Sequence, residues 1–101
     1  KQLELRVTTE VRAAVRGLET SREQLESAKV STRLAEKNLD AERKKYDNGL
    51  STAYQILQVQ DDLTAARYRQ VAAVTGYRKS IVEYNRATGT LLASSNVTIA
   101  D

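Results

Sequence analysis

The sequence predicts an all-α fold: a long antiparallel helical hairpin of the coiled-coil kind. Three observations lead there. The chain of 101 residues contains no proline and only four glycines, as uninterrupted helices require. Apolar residues recur every three or four positions both before and after Asn48-Gly49. Asn-Gly itself supplies the left-handed conformation that commonly ends a helix. It also makes two-residue β-hairpin turns, but those need flanks that alternate apolar and polar, and these flanks do not. The expected layout is a helix over about 2–47, a tip over about 48–52 and a helix over about 53–90. Together they form one hairpin domain over 1–92, followed by a polar tail over 93–101.

The first helix carries a seven-residue register. One seam line is Glu4, Val11, Leu18, Leu25, Thr32, Leu39 and Tyr46; its companion is Val7, Ala14, Ser21, Ala28, Ala35 and Glu42. One line is mostly large and the other mostly small, which lets a partner helix approach closely. At 1.5 Å per residue such a helix is roughly 65–70 Å long, a strut rather than a helix of an ordinary compact domain. Its exposed face sets opposite charges three or four residues apart: Glu19 with Arg22, Glu26 with Lys29, and Asp40 with Arg43 and Lys44. Each is worth only a few tenths of a kcal/mol, so they keep a long helix soluble rather than hold the fold. Gly17 interrupts this helix and either marks close packing against a neighbour or carries no packing role.

The tip reads Tyr46-Asp47-Asn48-Gly49-Leu50-Ser51-Thr52, with Ser51 or Thr52 placed to cap the first amides of the second helix. That helix has a main seam of Ile56, Val59, Leu63, Ala66, Gln70, Ala73, Tyr77, Ser80, Tyr84, Ala87 and Leu91. A second apolar line runs beside it through Leu57, Val71, Val74 and Ile81. One seam suffices for a two-helix hairpin; two seams require helices on both sides, as in a helical barrel or larger bundle. The isolated chain is therefore expected to associate with itself. Gly89 is the expected C-terminal stop, and Val97-Thr98-Ile99 is the only strand-like piece of the tail.

Composition excludes several function classes. The net charge of +3 comes from 16 basic and 13 acidic residues that are interleaved, so no nucleic-acid partner is expected. With no His and no Cys the usual metal ligands and most general-base arrangements are missing, so neither an enzyme nor a cofactor site is expected. Gly49-Leu50-Ser51-Thr52-Ala53 begins like a nucleophile elbow but lacks the second glycine and any histidine. Asp61 and Asp62 are adjacent on a helix and diverge, which makes a poor metal pair. No stretch approaches the ~20 apolar residues of a membrane span. The absence of Met, an initiator included, is what an excerpt from a longer chain would show.

Tyr46-x-x-Gly49-x-Ser51, followed by Ile56-Leu57-x-x-Gln60-x-x-Leu63-x-x-Ala66, resembles the TolC-type outer-membrane efflux proteins. So do the approach through Glu10-Val11-Arg12-x-Ala14, Leu18 and Leu25 and the ending Tyr84-x-x-Ala87-x-Gly89-Thr90-Leu91. The resemblance covers residues 1 to about 92. It implies a homotrimer with a β-barrel in the outer membrane and a tunnel of helices in the periplasm. This chain would be the periplasmic helical part of the second repeat, a fragment of that trimeric α-helical barrel.

In such proteins the hairpin tips meet a periplasmic adaptor, which joins the tunnel to an inner-membrane pump. The matching positions are Asn48, Gly49, Leu50, Ser51 and Thr52. Leu50 is an apolar residue at an exposed turn; it is placed to contact the adaptor and to fold back onto its own helix end, two compatible roles. The family also closes its aperture at the tip, and there the matching positions are Tyr46, Gln55 and Gln58. An arginine used in some members is Ser51 here, and nearby aspartates correspond to Gln55 and Gln58, so a charged latch is not carried over and a polar or looser closure is expected. Tyr46 lies on the heptad seam as well, which gives it a packing role. Two rivals remain: the coiled-coil hairpin of an adaptor protein, and a generic oligomerisation coiled coil. The first needs flanking halves of a lipoyl-like domain, which the two ends of this chain do not resemble.

Overall fold

Proline-free heptads on both sides of one glycine leave little choice but two helices. The computed structural model describes the backbone of residues 2–100 and the side chains of residues 2–93. Helix α1 spans Gln2–Asp47 and helix α2 spans Ala53–Ala100, and there is no strand among the described residues. The fold is all-α, a helical hairpin. Its contacts divide into two compact units, Gln24–Val74 and Lys1–Glu23 with Thr75–Asp101.

In the unit Gln24–Val74 the chain supplies both the turn and a core. Leu25, Thr32, Ala35 and Leu39 of α1 and Leu63 and Ala66 of α2 are buried. Ala35, Leu39, Leu63 and Ala66 form one cluster, with Ile56 and Val59 packed against it. The alanines let the backbones approach, so the leucines interlock instead of splaying the helices. Each buried leucine contributes about 1.5–3 kcal/mol relative to exposure. Thr32 sits in this apolar run because its Oγ1 is satisfied: it donates to the Ala28 carbonyl (3.0 Å) and lies 3.3 Å from the Ala66 carbonyl across the seam. The antiparallel sense shows in the pairings, with Glu42 meeting Ser51 and Glu36 meeting Arg67.

The unit Lys1–Glu23 with Thr75–Asp101 has Val7 as its buried apolar residue among the described ones. Val11, Ala14 and Leu18 of α1 and Tyr77, Tyr84, Ala87 and Leu91 of α2 are half-buried. Its interhelical bond is polar: the Ser21 and Ser80 hydroxyls lie 2.6 Å apart. Both oxygens also lie within bonding distance of the carbonyl four residues back, Gly17 at 2.8 Å and Gly76 at 3.0 Å. Two hydroxyl protons cannot fill three contacts, so one of the three is always without its proton.

The seams fall where the heptads place them, from Val7 to Glu42 on α1 and from Ile56 to Leu91 on α2. Glu4 and Tyr46, the outermost members of the α1 register, are exposed instead. Tyr46 lies in the last turn of α1, whereas the first inward residue of α2 is Ile56, so nothing stands opposite it. Within the chain nothing packs closely on Gly17: a Cβ there would meet no atom within 4 Å, and Gly76 is equally open. Nor does Gly89 stop α2, which runs on to Ala100. Its φ is not left-handed, as a helix-ending glycine's would be, and Val97-Thr98-Ile99 has helical backbone. Of the expected ion pairs, Lys29–Glu26 forms at 3.7 Å. The others among the described residues are Lys45–Glu42 and Arg67–Glu36 rather than pairs of Glu19 or Asp40.

Candidate functional site: the hairpin tip and the flanks of α2

The tip is built from two caps placed back to back. At the end of α1, the Leu50 amide donates to the Lys45 carbonyl (2.7 Å) and the Gly49 amide to the Tyr46 carbonyl (3.0 Å). This is the six-to-one and five-to-two pattern of a Schellman cap, with Gly49 at the left-handed position, φ 76°. A Cβ there would meet no neighbour, so glycine is demanded by backbone conformation alone. Lys44 and Lys45 lie in the last turn, where cations favour the negative end of the helix dipole.

At the start of α2, Thr52 and Gln55 form a capping box. The Gln55 amide donates to Thr52 Oγ1 (3.2 Å), and the Thr52 amide donates to Gln55 Oε1 (3.3 Å). Two orphan donors of the first turn are thereby satisfied. Ser51 ties the caps together. Its Oγ lies 2.6 Å from Glu42 Oε1 on α1 and 2.9 Å from Gln55 Oε1 on α2. One hydroxyl proton serves both acceptors, and the shorter contact to the carboxylate is the stronger. Glu42 Oε2 lies 3.8 Å from Lys45 Nζ, and the Glu42 side chain is only 16% exposed.

Ser51, Thr52 and Gln55 are thus brought together as the staple of the turn. Gln58 stands apart, its Nε2 donating to the Tyr54 hydroxyl (3.2 Å). Tyr46 is 47% exposed and not packed into the seam. Leu50 does not fold back: it is 75% exposed. In this cap its potential apolar partner is residue 45, a lysine whose ammonium pairs with Glu42. The structure also brings in Glu42, a seam position of the heptad register. An acid within a line of small residues was the signal.

The flanks of α2 differ in relief. One carries exposed large side chains, Leu57 and Val71, with Tyr54 and Tyr68 alongside on the outer face. On the other, Ala72 and Arg69 meet Ser27, Ala28 and Ser31 of α1 around an open groove of about 440 Å³. Val71 follows the half-buried Gln70 and Ala72 precedes the half-buried Ala73. At 100° per residue these two side chains therefore leave the helix on opposite flanks. Of the second apolar line, Leu57 and Val71 are exposed while Val74 and Ile81 are half-buried.

No helix among the described residues is long and apolar enough to cross a membrane. The chain matches no family model, no curated protein and no solved structure.

Proposed function

We propose that this chain is a periplasmic tunnel segment of a TolC-type outer-membrane export channel. It is one helix–turn–helix in a ring of hairpins, homotrimeric in the whole protein. Its tip docks a periplasmic adaptor and, through it, an inner-membrane pump. The observation that carries this reading is the pairing of unlike flanks on α2. Val71 on one flank, with Tyr68 beside it on the outer face, stands at the same height as the groove on the other flank, where Ala28, Ser31 and Ala72 lie between Gln24 and Arg69. Rotation about an axis parallel to the helices preserves height, so the large flank of one hairpin meets the groove of the next. Such a heterologous contact closes into a ring when the rotation allows. Burying those side chains recovers about 25 cal/mol for each Å² of apolar surface, which also drives self-association of the isolated chain.

At the tip, Leu50 is held outward on a rigid double cap and is the apolar contact for the adaptor. Ser51, Thr52 and Gln55 hold that turn, while Tyr46 and Gln58 remain on its surface for contacts between neighbouring tips. The aperture is closed by polar groups rather than by a charged latch. Leu50→Asp in the parent channel is expected to impair adaptor crosslinking and export while trimers still assemble. Gly49→Val is expected to do the same, because valine resists the left-handed conformation. Unchanged export with both variants would remove the tip from the docking surface.

A further inference from the structure

We infer that Asn48-Gly49 is a self-modifying site, at which the folded chain converts its own asparagine to isoaspartate and aspartate. Cyclisation needs a free carboxamide next to an unhindered main-chain nitrogen. No hydrogen bond holds the Asn48 carboxamide among the described residues, and both residues are exposed. The following residue has no Cβ, and the space where one would stand holds nothing within 4 Å, so no side chain crowds that nitrogen. The other asparagines with described side chains are exposed as well, but differ in their backbone and in the residue that follows. Asn38 and Asn85 lie within α1 and α2 and are followed by Leu39 and Arg86.

The step is balanced with water alone. The Gly49 amide nitrogen loses its proton to base and bonds Asn48 Cγ; the Cγ–Nδ2 bond breaks and ammonia leaves. Water then opens the five-membered imide at either carbonyl, returning a proton to the nitrogen. One opening gives aspartate, the other isoaspartate, with water consumed, ammonia released and nothing oxidised or reduced. The Gly49 amide donates to the Tyr46 carbonyl at 3.0 Å, so reaction proceeds through brief opening of the cap. Exposed helix ends open readily.

Either product damages the Schellman cap. Isoaspartate adds a carbon to the main chain between positions 48 and 49, so the Gly49 and Leu50 amides lose their reach to Tyr46 and Lys45 together. Aspartate adds a negative charge beside Asp47 at the negative end of the α1 dipole. The reaction thus retires the turn that presents Leu50, and its chemistry does not depend on what Leu50 touches.

The whole chain is incubated at neutral and mildly alkaline pH and digested with trypsin, which places Asn38, Asn48 and Asn85 in separate peptides. Expected is conversion at Asn48 with isoaspartate among the products, faster at the higher pH, while Asn38 and Asn85 keep their amides. Hydrogen exchange at Gly49 and Leu50 then loses protection in the converted chain. Asn48→Gln, whose ring closure would be six-membered, stays intact under the same conditions. Conversion at Asn48 no faster than at Asn38 and Asn85 would overturn the inference, and so would aspartate without isoaspartate.

Discussion

The units Gln24–Val74 and Lys1–Glu23 with Thr75–Asp101 use the same heptad spacing but bury different things. The first buries Leu25, Thr32, Ala35, Leu39, Leu63 and Ala66. The second, among described residues, buries Val7, and its seam includes a serine–serine contact beside helix-interior glycines. Spacing decides which face turns inward; the size and polarity of the seam residues decide how much that face is worth. Stability should therefore be concentrated toward the tip, with the other unit opening first in hydrogen exchange.

The largest expected effect tests that gradient. Leu63→Ala removes a buried leucine from the tip-side cluster and should cost about 2–4 kcal/mol in urea unfolding. Val7→Ala, in the other unit, should cost about 1–2 kcal/mol, from the two methyl groups lost. Equal losses would erase the distinction between the units. Next comes the cap: Thr52→Ala opens the capping box and should cost about 1 kcal/mol. Smallest, and opposite in sign, are Gly17→Ala and Gly76→Ala, each raising stability by up to about 1 kcal/mol because a Cβ finds open space. A loss of stability there would mean that a neighbouring chain occupies that space.

Most of the fold was legible in the sequence because a seven-residue repeat is a geometric statement. From Val11 to Leu39 and from Ile56 to Leu91, the seam residues could be named one by one. What escaped was local competition. Tyr46 keeps the register but runs out of partner, since α2 turns inward only at Ile56. Gly89 resembles a stop, yet a lone glycine lowers helix propensity by only about 1 kcal/mol and a long helix absorbs that. At the tip, Thr52-x-x-Gln55 has the spacing of a capping box, a local role that the aperture position of Gln55 does not reveal. The bond from Ser51 to Glu42 joins residues nine apart across a reversal, which no periodicity encodes. The exposure of Leu50 depended on residue 45 being a lysine engaged elsewhere.

The proposed ring stands or falls on whether unlike flanks of α2 meet. Val71→Lys spoils the large flank and Ala72→Lys the groove, and both positions are exposed, so folding is spared. Sedimentation of each variant and of an equimolar mixture is the direct test, with the wild-type chain self-associating as reference. Each variant alone should be monomeric. The mixture should form dimers and stop there, because one intact flank and one intact groove remain between the two chains. Self-association of either variant as strong as that of the wild type, or a mixture that stays monomeric, would contradict heterologous packing.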